Sequence, residues 1–118
     1  NITAVGFEAL RNATTGGENT AVGLQALKSN TVGYGNTAVG TYALDASTSA
    51  HSCTAVGRDA LGANTANENT AFGKDALKIN TTGNKLTAVG KDALENNTTG
   101  TENTAVGNDA LLFNKILL

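Results

Sequence analysis

The chain has 118 residues, a formal net charge of −2, 15% charged residues, no Pro or Trp, and only three Phe and two Tyr. Its eight Lys and Arg are scattered among ten Asp and Glu, so it lacks the basic field that nucleic acid or an anionic membrane surface requires, and neither is expected as a partner. Cys53 is the single cysteine, which excludes an internal disulfide and leaves the redox compartment open. No signal peptide or initiator Met is present and the first residue already lies inside the repeat phase, as expected of a mature product or a piece of something longer.

In chain order, one phrase recurs: Thr-Ala-Val-Gly, two variable residues, Ala-Leu, then a polar stretch of mainly Asn, Thr and Gly. It starts at Thr3, Thr20, Thr37, Thr54, Thr70, Thr87 and Thr104, spaced by 17 residues except for one step of 16 between Thr54 and Thr70. A period this short cannot hold a helix pair and suits one coil of a solenoid. The Gly column and the β-branched Thr and Val argue against helix, although Ala and Leu favour it. The expected fold is all-β, a parallel β-solenoid (β-roll) of seven coils, with residues 1–118 forming a single array. Each coil is expected to carry two short strands, one over Thr-Ala-Val and one around Ala-Leu. Gly ends the first strand, either as a tight corner or where another backbone comes close, and Asn-Thr-Thr-Gly makes the second corner.

Stacking the copies turns sequence into columns, about 4.8 Å apart from coil to coil. Thr and Val of the first strand point to one face and Ala to the other. The expected core columns are Val5, Val22, Val39, Val56, Phe72, Val89 and Val106, and Leu10, Leu27, Leu44, Leu61, Leu77, Leu94 and Leu111. That assignment leaves a small Ala face for close approach by a neighbouring chain; the alternative places Ala inside and Val at a partner interface. Asn30, Asn64, Asn80, Asn97 and Asn114 share a corner column, interrupted by Ala13 and Ser47, and are expected to form an internal amide ladder. Asn19, Asn36, Asn69 and Asn103 share a second column with Ile2, Cys53 and Leu86, a mixture expected at a partly buried place.

Candidate chemistry is sparse. His51 and Cys53 suggest a nucleophile pair, but no orienting or oxyanion group accompanies them. Glu8, Asp59, Asp75, Asp92 and Asp109 form an acidic column, with Arg58, Lys74 and Lys91 in the next column able to offset it diagonally across coils. A solvent-facing charged ladder is the expectation, and the calcium repeat Gly-Gly-x-Gly-x-Asp is absent. Gly16-Gly17 reads as a turn rather than a phosphate loop. Asn1, Asn12, Asn80, Asn96 and Asn97 match the glycosylation sequon. No enzyme activity, metal or cofactor is expected.

A second copy placed after Leu118 would put its Thr3 17 residues beyond Thr104, so head-to-tail stacking keeps the register. Neither end reads as a polar cap, and Ile2, Ile116, Leu117 and Leu118 are the expected end contacts. The closing run Leu111 to Leu118 is apolar but far short of the roughly 20 residues that cross a bilayer.

Asn-Thr-Ala-Val-Gly followed by Ala-Leu, as in Asn19 to Leu27 and Asn103 to Leu111, resembles the head repeats of trimeric autotransporter adhesins and similar repeats of phage tail fibres and surface proteins. The resemblance implies a left-handed parallel β-roll, often trimeric, acting in attachment or as a spacer. The repeat is longer than the usual adhesin head repeat and has Ala-Leu where small polar residues are common. The expected function is that of a structural, extracellular fibre or filament module whose coils stack end to end. The expected partners are copies of itself, joined end to end or as a lateral trimer or bundle. Two alternatives are an adhesin head or phage tail-fibre binding module that recognises a cell-surface or glycan receptor, and an ice-binding solenoid using the Thr column. Each places the chain outside the cell, or on a cell or virion surface.

Overall fold

In a computed structural model of the protein, which describes residues 1–114, seven short strands form one parallel sheet in sequence order. They are β1 Ile2–Val5, β2 Asn19–Val22, β3 Thr37–Val39, β4 Thr54–Val56, β5 Thr70–Phe72, β6 Thr87–Val89 and β7 Thr104–Val106. Thr pairs with Thr, Ala with Ala and Val with Val (Phe at position 72) at every step, including the step shortened by one residue. The missing residue is therefore absorbed in the corner, where register carries no cost. The result is a β-solenoid, a rod 41 Å long and 22 by 16 Å across.

Only one strand forms per coil, which corrects the expected pair. Around Ala-Leu the backbone turns instead of extending, because two residues per coil take left-handed φ, as at Asp59 (57°) and Leu61 (53°). Left-handed backbone costs an L-residue roughly 1–2 kcal/mol. What offsets it is bonding to both neighbours: Asp59 N–H donates back to Thr41 O (2.9 Å), and Leu61 N–H donates forward to Ala76 O (3.0 Å). The same conformation turns the Leu side chain inward, and Leu27, Leu44, Leu61, Leu77 and Leu94 are fully buried.

The Val column is the second correction. Val5, Val39, Phe72, Val89 and Val106 are exposed, and Val22 and Val56 half-buried, while Ala21, Ala38, Ala55, Ala71 and Ala88 have no exposure at all. The strand buries its Ala side because at that level the interior is narrow: Ala of the strand faces Ala-Leu of the turning flank across one thin layer. Leu fits there since one large column against two Ala columns fills the width. Leu10 is buried as expected, whereas Leu111, in the last coil, is 49% exposed.

Both Asn columns lie inside. Asn80 Nδ2 donates to Asn64 Oδ1 (2.7 Å), Asn97 Nδ2 to Asn80 Oδ1 (2.8 Å) and Asn114 Nδ2 to Asn97 Oδ1 (3.0 Å). The second column holds the next coil's backbone: Asn36 Oδ1 accepts the Cys53 N–H (3.0 Å) while its Nδ2 donates to Ala50 O (2.7 Å). Asn19 and Asn69 repeat this arrangement, so with Cys53 and Leu86 the column is fully rather than partly buried in the inner coils, while Asn103 is half-buried and Ile2 exposed at the ends. With these bonds the amides of Asn19, Asn36, Asn69, Asn80 and Asn97 find partners in neighbouring coils, which removes the desolvation penalty of an unpaired polar group.

Ser47 breaks the first ladder. Asn30 Oδ1 and Ser47 Oγ are both buried without a hydrogen-bond partner, since the serine hydroxyl is too short to bridge neighbouring coils. Ser47→Asn supplies an amide that can donate to Asn30 Oδ1, so it is expected to raise stability by about 1 kcal/mol. In a thermal melt that is a rise of about 3–6 °C. No rise would mean that the slot cannot take an amide.

Candidate assembly interface

Three kinds of surface result from this architecture: an outward sheet face, a charged flank and two open edges. On the sheet face, Thr and Val or Phe alternate with the buried Ala, so a lateral neighbour would meet the Val column rather than an Ala face. At the corners, Thr14, Thr31, Thr65 and Thr81 donate their hydroxyls to carbonyls of the next coil. Among the described residues the strand Thr hydroxyls have no such bonds.

The charged flank pairs mostly within coils, and the expected diagonal offset is corrected accordingly. Arg58 pairs with Asp59, Lys74 with Asp75 and Lys91 with Asp92, each its immediate neighbour, with Lys78 also on Asp75 at 3.2 Å. Coil-to-coil pairing occurs at Glu8, whose carboxylate is reached by Lys28 (3.0 Å) and Gln25 (2.9 Å). Burial pushes the Asp75 carboxyl up, but Lys74 and Lys78 outweigh it and hold the group below the usual Asp range. Asp75, Asp92 and Glu95 bring carboxylate oxygens within 4.8 Å of one another. Lys74, Lys78 and Lys91 already neutralise that group, so its geometry is that of an ion-pair network.

His51 and Cys53 are not brought together as a catalytic pair. The Cys53 thiol points into the core, 3.3 Å from Ala66 O and 3.7 Å from Asn64 Nδ2. The His51 ring instead stacks on Tyr34, with centroids 4.8 Å apart and planes 2° from parallel. Burial raises the Cys53 pKa, and that disfavours the reactive thiolate. Cys53 is therefore expected to resist a thiol reagent in the folded protein and to react at once in denaturant. Rapid labelling of the native chain would contradict the buried placement. Of the sequon asparagines, Asn80 and Asn97 have no exposure and serve the internal ladder.

The edges carry the most specific chemistry. Inside the rod each coil donates forward through the N–H groups at the strand Thr and at Leu, as Thr87 does to Asn103 O and Leu94 to Ala110 O. It also donates backward through Gly and the residue two beyond, as Gly107 does to Val89 O and Asp109 to Lys91 O. Among the described residues, the equivalent groups on the outer sides of β1 and β7 lack partners. Ile2 is 49% exposed, and Ala4 is exposed where its equivalents are buried. Ile116, Leu117 and Leu118, the remaining expected end contacts, lie outside the described residues.

Sequence reasoning anticipated the Leu and Asn columns but placed the Val column on the wrong side. The signal available was volume: a coil of 17 residues that already buries Leu, two Ala and two further columns at its corner and before the strand has no room for Val as well. Compared with protein-family models, curated proteins and solved structures, the chain matches none of them, so the functional reading rests on the geometry of these surfaces.

Proposed function

We propose that the chain is a structural, non-enzymatic module of an extracellular fibre, lengthened by stacking coils end to end and thickened by contacts along the Val column. The observation that carries this reading is the pair of sheet edges at the two ends of one rod, where backbone groups lack partners among the described residues and where, at the β1 end, Ala4 is exposed although its equivalents are buried. An exposed parallel edge is a template for another strand. The requirement is the same whether the next coil comes from this chain's continuation or from another copy.

Sedimentation velocity and negative-stain electron microscopy of the purified chain across a concentration series test the proposal. Rods that lengthen with concentration are expected. A single monomeric species throughout the series would sink it.

A second reading is favoured by the outward Thr column. Its hydroxyls are free of protein partners among the described residues and lie in register beside Val methyls on the outward sheet face, which suits ordering water at an ice surface. Thermal hysteresis in the purified protein would support that reading, and its absence would remove it.

A further inference from the structure

We infer that a second copy of this chain docks its β1 edge on the β7 edge in the register that joins neighbouring coils, making the joint a seventh coil contact with one defined weakness. This deepens the fibre reading and rests on it. The internal pattern, moved up by one coil, supplies partners for the strand and flank backbone groups that lack them at these edges among the described residues. Thr104 N–H would reach Ile2 O of the second copy as Thr87 N–H reaches Asn103 O, and Leu111 N–H would reach Ala9 O as Leu94 N–H reaches Ala110 O. In the other direction Gly6 N–H of the second copy would meet Val106 O as Gly107 N–H meets Val89 O. Glu8 N–H would likewise meet Asn108 O as Asp109 N–H meets Lys91 O.

Side chains fit the same register. Asn103 Oδ1 is placed to accept the Ile2 N–H, as Asn69 Oδ1 accepts that of Leu86 (3.0 Å). Leu111, 49% exposed, would be covered as its equivalents are. Gly107 gives the sharpest steric evidence. A Cβ on Gly90 would lie 2.4 Å from the carbonyl oxygen of the next glycine, whereas on Gly107 its nearest neighbour among the described residues is the Ala110 Cβ at 3.8 Å. The space beside Gly107 is thus the slot that, one coil earlier, another glycine backbone fills.

The weakness is in the Asn ladder. Each Asn donates to the amide oxygen one coil below, so Asn114 Oδ1 would await a donor from position 13 of the second copy, which is Ala. The joint therefore lacks one buried bond that the last three internal contacts possess.

Gly107→Ala fills the slot and is expected to lower the assembled fraction about tenfold or more at fixed concentration. Alanine at φ 130° carries strain of its own, so opposite and independent variants are needed. Ala13→Asn supplies the missing donor and is expected to lengthen the rods. A Val5→Cys, Val106→Cys double variant is expected to form a covalent ladder of chains on mild oxidation, since paired positions on adjacent strands lie within disulfide reach. Val5→Cys with Thr104→Cys, out of register, should not form one. Rods that persist with Gly107→Ala, gain nothing from Ala13→Asn and fail to cross-link through positions 5 and 106 would overturn the joint while leaving the fibre reading intact. Wild-type chains that never associate would overturn both.

Discussion

Replacing Gly57 by Ala is expected to cost about 4 kcal/mol or more, combining backbone strain of roughly 1–3 kcal/mol with overpacking of similar size. Gly57 has φ 133°, and a Cβ there would lie 2.6 Å from both the carbonyl carbon and oxygen of Gly73. The obstacle is backbone, so no rotamer change relieves it. In a solenoid, stability is close to a sum of coil and nearest-neighbour contributions, and a lesion at the middle coil uncouples the two halves. Circular dichroism on heating should therefore show a lower and broader transition. Gly17→Ala is the control, because a Cβ at Gly17 meets nothing within 4 Å. If Gly57→Ala melts like the wild type, the close stacking of the glycine column is wrong.

The second large effect is expected at Leu61. Leu61→Ala should destabilise by about 2–5 kcal/mol, since a fully buried leucine loses its transfer free energy and leaves a cavity that a rod with one thin layer cannot refill from elsewhere. Val39→Ala should cost about 1 kcal/mol or less, mostly lost strand preference, because Val39 faces outward. Paired urea melts decide between them. Comparable losses at the two positions would restore Val to the core and contradict the outward sheet face. If Val39→Ala instead reduces assembly while sparing the melt, the outward column acts between chains, as the bundling part of the proposed function requires.

Several features are legible in the sequence alone. The spacing of Thr3 to Thr104 carried the coil count, the parallel pairing and the strand position, because a period near 17 residues with a fixed Gly leaves few ways to close a turn. The Asn column declared itself through recurrence of one amide at one corner, and the ladder from Asn64 to Asn114 follows from the geometry of stacked amides. The interruption at Ser47 could be read as a gap, though not that it strands Asn30 Oδ1.

Other features needed three dimensions. Alternation in Thr-Ala-Val separates two faces without saying which is inside, since the period is the same either way. The width of the coil decides: with Leu already in the interior, Ala is what fits beside it, and Val goes to the surface. The Ala-Leu segment has strand-compatible composition, yet left-handed φ at alternate residues makes it a turning flank, stabilised by bonds to the coils on both sides that a single repeat cannot reveal.

The sequence by itself determined the repeat, its register and the residues that could form ladders, because those depend on periodicity alone. Only the tertiary structure decided which columns are buried, where the charged pairs close and which backbone groups remain open at the edges. Each of these depends on the separation between one coil and the next and on the space left inside them.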